Sequence, residues 1–247
     1  MKADTPLVSR LVPSPSHNER RGVAGPDILL LHYTGMRDGA AALERLTDAA
    51  SEVSAHYLVE EDGEILQLVP EARRAWHAGR GSWQGHTDIN SRAIGIEIVN
   101  PGHEHGYRPF PDPQIAAVIE LCRDCGERWQ IAPHLVLAHS DIAPDRKEDP
   151  GELFPWDQLF SADIGLWCAI DPKPGEVLLR QGDRGTLVET YQRQLATFGY
   201  GLRKDGIFGD ETRLATLAFQ RHFRPSHLTG EVDEDTQDRL LSLVQSI

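Results

Sequence analysis

The sequence is short of cysteine, of positive charge and of long apolar runs, and each shortage closes off a class of protein. Three cysteines, Cys122, Cys125 and Cys168, are too few and too odd in number for a disulfide framework. Cys122 and Cys125 form a C-x-x-C, a spacing seen in redox centres and in half of some zinc sites. No second C-x-x-C exists. Inside a helical pattern, the pair reads as small apolar helix positions. Lys and Arg number 25 against 38 Asp and Glu, a formal net charge of -13. That argues against a nucleic-acid partner, which needs a cationic surface. A neutral or zwitterionic polymer such as a glycan is compatible with it. No apolar run reaches the roughly 20 residues of a membrane span. Met1 to Arg21 carries prolines, serines and charges but no apolar h-region, so no secretory signal is read there. The expectation is a cytoplasmic protein as the sequence stands, or a periplasmic one if a leader has been removed.

What is present suits two domains. The chain has 247 residues and a hydrophobic fraction of 40%, enough for a sizeable core. Residues 1–26 read as an irregular leader wrapping the first domain. Ile28 to Leu31 is a buried-strand run that ends in His32. Ala40 to Ala50 is Ala-rich and helical. Ser54 to Glu60 and Ile65 to Val69 are strand-like and joined at Asp62-Gly63, a hairpin turn. Trp76-His77-Ala78-Gly79 then opens a polar loop. Ala93 to Asn100 is a strand with Ile94, Ile96 and Ile98 on one face and Gly95, Glu97 and Val99 on the other. Glu97 is thus a carboxylate in an apolar strand; its face meets either solvent or a site. Pro113 to Trp129 has the spacing of a half-buried helix, and Phe154-Pro155-Trp156 opens a last short one. Strand, helix and hairpin in this order imply an α/β domain with a mixed sheet flanked by helices. Asp171 to Gly175 is a Pro-rich break. Beyond it, Asp205-Gly206-Ile207-Phe208-Gly209 and Thr229-Gly230-Glu231-Val232-Asp233 echo each other, each a tight turn leading to a helix cap. The helical faces of Leu187, Tyr191, Leu195, Leu214 and Leu217 complete a small helical domain of a size that can fold alone.

The stretch Leu135 to Gly151 concentrates the chemistry. A strand-like run ends in His139, repeating the pattern at His32, and a charged loop broken by Pro144 and Pro150 comes next. His139 and the acids beyond it are usable zinc ligands. Spacing alone does not choose among Asp141, Asp145 and Asp149. Lys147 and Asp149 are two apart and point the same way in extended backbone. An ammonium beside a cation-binding cluster suits a site where negative charge develops. His103 and His105 have the look of a metal pair but sit in a polar loop, where exposure accounts for them. His56 and Tyr57 are adjacent on a strand, so only one of them faces any site.

Five ordered segments then resemble one family, the zinc-dependent N-acetylmuramoyl-L-alanine amidases of type 2, which include phage T7-type lysozyme and the peptidoglycan recognition proteins. They are Leu-Leu-His-Tyr-Thr-Gly, Val-Ser-Ala-His-Tyr-Leu-Val, Ala-Trp-His-Ala-Gly, Ala-Ile-Gly-Ile-Glu-Ile-Val and Ala-His-Ser-Asp-Ile-Ala-Pro-Asp-Arg-Lys-Glu-Asp-Pro-Gly. The tail, with Asp-Gly-Ile-Phe-Gly-x-x-Thr and Phe219-Gln220, resembles the three-helix peptidoglycan-binding module attached to cell-wall hydrolases. The resemblance implies a leader over 1–26, a zinc amidase domain over 27–165, a linker over 166–176 and a wall-binding domain over 177–247. It implies Zn2+ held by His32, His139 and Asp149, with Glu97 as general base and acid and Lys147 as oxyanion stabiliser. The implied reaction cuts the amide between N-acetylmuramic acid and L-alanine, in sacculus or in soluble anhydro-muropeptides. Trp76, His77, Asn90 and Tyr57 are expected to bind substrate, with a structural role for His77 weighing equally. A non-catalytic peptidoglycan receptor on the same fold is the rival, disfavoured by the full metal set; an unrelated metalloprotein is a second. A monomer is expected. A chain ending near Ile170 is expected to keep its zinc and its soluble-substrate activity.

Overall fold

The computed structural model describes residues 1–170 and 175–247. The strands in chain order are β1 (Arg10–Leu11), β2 (His17–Glu19), β3 (Ile28–Tyr33), β4 (Tyr57–Val59), β5 (Ile65–Gln67), β6 (Arg73–Ala75), β7 (Ala93–Ile98), β8 (Val136–Ala138), β9 (Val177–Leu179) and β10 (Val232–Asp233). The helices are α1 (Gly39–Thr47), α2 (Ile89–Arg92), α3 (Gly102–His105), α4 (Asp112–Trp129), α5 (His139–Ile142), α6 (Trp156–Ser161), α7 (Thr186–Phe198), α8 (Asp210–Phe223) and α9 (Glu234–Gln245). A six-stranded sheet runs in the order β1-β5-β4-β7-β3-β8. It is mixed: β3 lies parallel to β7 and β8, and β4 is parallel to β7, whereas β4 and β5 form the antiparallel hairpin.

The period-2 pattern of β7 sorts its residues as its sequence demands. Ile94, Ile96 and Ile98 join Leu29 and Leu31 under α4, whose Ile115, Val118, Leu121, Cys122 and Cys125 supply the opposing layer. Both cysteines of the C-x-x-C are buried and free. The other face divides in two. Leu58, Leu66 and Val99 pack under Ala42 and Leu46 of α1. Ile28, Leu30, Ala93 and Leu137 instead join a cluster with Trp83, Leu195, Phe198, Phe219 and Phe223. The site occupies the gap between these two covers.

Three expectations need correction. The N-terminal stretch is not wholly irregular: β1 extends the main sheet beside β5, and β2 pairs with β6. Its Arg20 enters the domain and donates to the carbonyls of Glu71, Asn90, Ser91 and Ala93. Four acceptors in fixed positions suit the five-donor guanidinium fork, and nothing in a Pro- and Ser-rich sequence signals them. Second, the charged stretch after β8 begins with a helical turn, α5, before it becomes a loop. Third, the C-terminal helices do not stand apart. α7, α8 and α9 form the expected bundle, with β9 paired to β10, yet the bundle shares one continuous apolar cluster with the sheet. The expected linker lies partly outside the described residues, at 171–174.

Candidate active site

Strand pairing places the two carriers of chemistry side by side. His32 and Glu97 are register partners on β3 and β7, so both project from the same sheet face. His139 is the first residue of α5, directly past the end of β8, and β8 neighbours β3. The chain after α5 returns on itself, with Ser140 N–H donating to the Asp149 carbonyl at 3.0 Å. Three buried donor atoms thereby meet. His32 Nδ1 lies 2.9 Å from His139 Nδ1 and 3.0 Å from Asp149 Oδ2, and His139 Nδ1 lies 2.9 Å from the same Oδ2. Asp141 and Asp145 are elsewhere: Asp141, within α5, is buried and turned toward Tyr200 and His222, and Asp145 pairs with Arg80 at 2.7 Å on the surface.

The donor set fits a metal ion. His139 Nε2 faces the Ala78 carbonyl at 3.0 Å, so it carries the ring proton and Nδ1 presents a lone pair. His32 Nε2 faces His77 Nδ1 at 3.0 Å, leaving His32 Nδ1 for the cluster. Burial, and then the adjacent His139, pull the His32 imidazole down to about 4, so it is neutral near pH 7. Burial opposes ionisation of Asp149, but His139 and His32 outweigh it and hold the carboxyl well below its usual range. Two imidazole lone pairs and a carboxylate aimed at one point repel each other unless a cation lies between them. Two nitrogens and one oxygen form a zinc-type set that leaves a fourth position for water or substrate.

A cavity of about 550 Å³ opens over this cluster, lined also by Tyr33, Trp76, His77, Glu97, Arg146, Lys147 and Glu148. Glu97 Oε2 has no hydrogen-bond partner among the described residues. Burial, then the charge of Asp149, push the Glu97 carboxyl up to about 8, with Lys147 opposing. A carboxyl so placed holds or releases a proton near neutrality, as a general acid–base must.

Of the four expected substrate residues, Trp76 and His77 line the cavity and Asn90 and Tyr57 do not. Asn90 is buried behind the Trp76–Ala78 backbone, and its Oδ1 accepts from the N–H groups of His77 and Ala78. Tyr57 faces the α4 layer, where its hydroxyl donates to Glu71 at 2.6 Å. Its neighbour His56 takes the site-side face but stays beneath His77, with ring centroids 5.6 Å apart. His77 is therefore both cavity wall and partner of His32. His103 stands at the cavity rim, between Tyr33 Oη and Glu152, and it converges with no ligand set among the described residues. Arg45 of α1 and Arg146 also reach the cavity. Sequence reasoning missed both, since an arginine in an Ala-rich helix and one in a charged loop carry no distinguishing pattern.

Residues 22–152 match the family model described as N-acetylmuramoyl-L-alanine amidase. The chain belongs to the N-acetylmuramoyl-L-alanine amidase family. Residues 184–240 match a peptidoglycan binding domain. The chain is 42% identical over 224 residues to the N-acetylmuramoyl-L-alanine amidase AmiD of Escherichia coli, an alignment covering 85% of this chain and 79% of that protein. It is 37% identical over 165 residues to the 1,6-anhydro-N-acetylmuramyl-L-alanine amidase AmpD of the same organism, covering 60% of this chain and 88% of that one. The solved complex of Escherichia coli AmiD with anhydro-N-acetylmuramic acid-L-Ala-D-gamma-Glu-L-Lys superposes with a TM-score of 0.75 at 36% identity, over 94% of this chain and 98% of the other. AmpDh3 of Pseudomonas aeruginosa superposes at 0.73 with 30% identity, over 95% and 98%. The mixed sheet flanked by helices is thus the amidase fold of this family, and the chain is an amidase. No helix among the described residues is long and apolar enough to cross a membrane.

Proposed function

We propose that the chain hydrolyses the amide joining the lactyl group of N-acetylmuramic acid to L-alanine, with zinc held by His32, His139 and Asp149. The observation that carries this reading is the convergence of three buried donor atoms beside an unpartnered carboxyl, at the floor of an open cavity. Zinc bound there would polarise the scissile carbonyl and acidify water. The protein's own residues account for the proton traffic. Glu97 accepts the proton of the attacking water and later delivers it to the alanine nitrogen as the C–N bond breaks. Its raised affinity for a proton suits the second task, and a nearby cation would favour the carboxylate needed for the first. The Lys147 ammonium lies on the cavity wall, where it would offset charge developing on the carbonyl oxygen. His77 and the Ala78 carbonyl fix the ring orientations of His32 and His139, a role that outer partners of metal-bound histidines commonly fill. Trp76 offers an apolar wall to the sugar or peptide.

A full ligand set with Glu97 and Lys147 supports catalysis over the receptor alternative. We propose muropeptides as the substrate class, with the residues from 177 onward as a wall-binding domain and those from 27 to 165 as the catalytic one. The test is mass spectrometry of products from intact sacculi and from soluble anhydro-muropeptides. Release of free stem peptide beginning at L-alanine supports the reading. Peptide products still carrying the muramyl group would overturn it.

A further inference from the structure

One buried carboxylate joins the metal-bearing loop to the C-terminal bundle. Asp141 is fully buried and lies two residues past His139, in the single turn of α5. Its Oδ2 accepts from the Ala138 N–H at 2.8 Å and from His222 Nδ1–H at 2.7 Å. Its Oδ1 accepts from the Tyr200 hydroxyl at 2.6 Å. His222 belongs to α8, and Tyr200 directly follows Gly199, the cap of α7, so two of the three donors come from the bundle. The His222 ring stacks on Trp156 of α6, with centroids 3.7 Å apart. Arg221 reaches Glu148 at 3.4 Å and Glu152 at 3.7 Å, on either side of the Asp149–Gly151 return.

A four-residue helical turn has little stability of its own, because nucleation is costly. The loop beyond α5 is tied to it by Lys147 N–H on the Ala143 carbonyl and by Ser140 N–H on the Asp149 carbonyl. Fixing α5 therefore fixes His139, Lys147 and Asp149 together. The apolar side of the joint is closed by Tyr200 edge-on to Trp83, centroids 5.0 Å apart. Gly199 has φ +148 and lies so close to Trp83 that any side chain would overlap the indole. The joint is a packed interface, not a grazing contact.

We infer that Tyr200 and His222 are positioning residues of the amidase site: the C-terminal bundle holds the metal-bearing turn in its binding geometry. The inference rests on the assignment of His32, His139 and Asp149 to the metal. It gives the bundle a second duty, carried out on the opposite side of the sheet from α4.

The test compares full-length wild type with Tyr200→Phe, His222→Phe, His222→Asn and the double Phe variant. Each protein is loaded with zinc, and the rate of zinc release to a colorimetric chelator is followed, alongside thermal midpoint, kcat and KM on a soluble muropeptide. Tyr200→Phe and His222→Phe each keep an aromatic ring at the position and delete the donor. They are expected to speed zinc release and lower zinc affinity by about tenfold or more, the range for outer partners of a metal site. kcat should fall with KM nearly unchanged. His222→Asn restores an N–H near the lost one and should recover most of both. A lowered thermal midpoint with wild-type zinc release and wild-type kcat overturns the inference, since the contacts would then serve packing alone. His222→Asn behaving no better than His222→Phe also overturns it. If the double variant does not fold, the two single Phe variants decide by the same criteria. Failure of the wild-type protein itself to hold zinc would instead bring down the functional reading, and this inference with it.

Discussion

His139 shows what a single side chain contributes here. Its Nδ1 is one corner of the donor triangle and its Nε2 is spent on the Ala78 carbonyl. His139→Ala leaves two ligands, which hold zinc poorly; metal analysis should find the variant substoichiometric and inactive. Glu97→Gln is the complementary change. It should keep zinc and fold yet lose on the order of a hundredfold or more in turnover. A wild-type rate in that variant would move the base elsewhere. His56 gives a pH prediction away from the reaction. Burial, then the charge of Arg20, pull it down to about 3 from 6.5. Between those values the unfolded chain binds a proton that the folded one refuses. His56 therefore contributes stability that is full above pH 6.5 and is lost as pH falls toward 3. His32 and His77 are shifted the same way, so acid should unfold the metal-free protein steeply. Urea titrations at pH 4.5 and 6.5 should show His56→Gln losing up to one proton's share of that slope, about 1.4 kcal/mol per pH unit. Equal slopes would assign the acid sensitivity to other groups than His56.

Strand β7 shows how much of the site was legible beforehand, and where legibility stops. The alternation of Ile94, Ile96 and Ile98 with Gly95, Glu97 and Val99 correctly put Glu97 on the face away from the α4 core. Period 2 is a local property, so it survives in one sequence. The partner across the ladder is not local, and no pattern within β7 says that His32 is Glu97's neighbour. Likewise, apolar runs ending in histidine marked β3 and β8, while the choice of Asp149 over Asp141 and Asp145 needed either the family resemblance or the fold. Asn90 and Tyr57 were misplaced because a polar residue near a motif has two faces to choose from, and the backbone of Trp76–Ala78 claimed one of them. Gly95 was placed on the face it shares with Glu97 and Val99, with no neighbour assigned to it. A methyl group at Gly95 would overlap the His77 ring, which packs directly against the strand there. Gly95→Ala should cost about 1–3 kcal/mol through overpacking. It should also weaken zinc binding by displacing the partner of His32. Calorimetry with a zinc titration checks both, and a variant that loses stability alone would detach His77 from the metal site.

At the scale of the whole molecule, the shared cluster changes what truncation should do. The sequence suggests a tail that can be removed without harm. The structure buries Trp83, Leu30 and Leu137 against Leu195, Phe198 and Phe219 from that tail. A chain ending near Ile170 would expose this face, an apolar patch of the kind that drives aggregation. Gel filtration should find the truncated chain aggregated or its thermal midpoint sharply lowered, with soluble-muropeptide activity falling in parallel. A monodisperse, fully active fragment would show the docked face to be dispensable and would restore the picture of two independent units.

The joint at Asp141 also sets a timetable. Asp141 leaves the ribosome 81 residues ahead of His222. At roughly 5–20 residues per second, that is a wait of about 4 to 16 s. During it, both imidazoles and the aspartate of the donor triangle have been synthesised, while Asp141 still lacks the His222 donor that joins its turn to α8. The hydrolase thus matures last at its most reactive point, and a chain stalled in translation before α8 is a nearly complete amidase domain without its clasp.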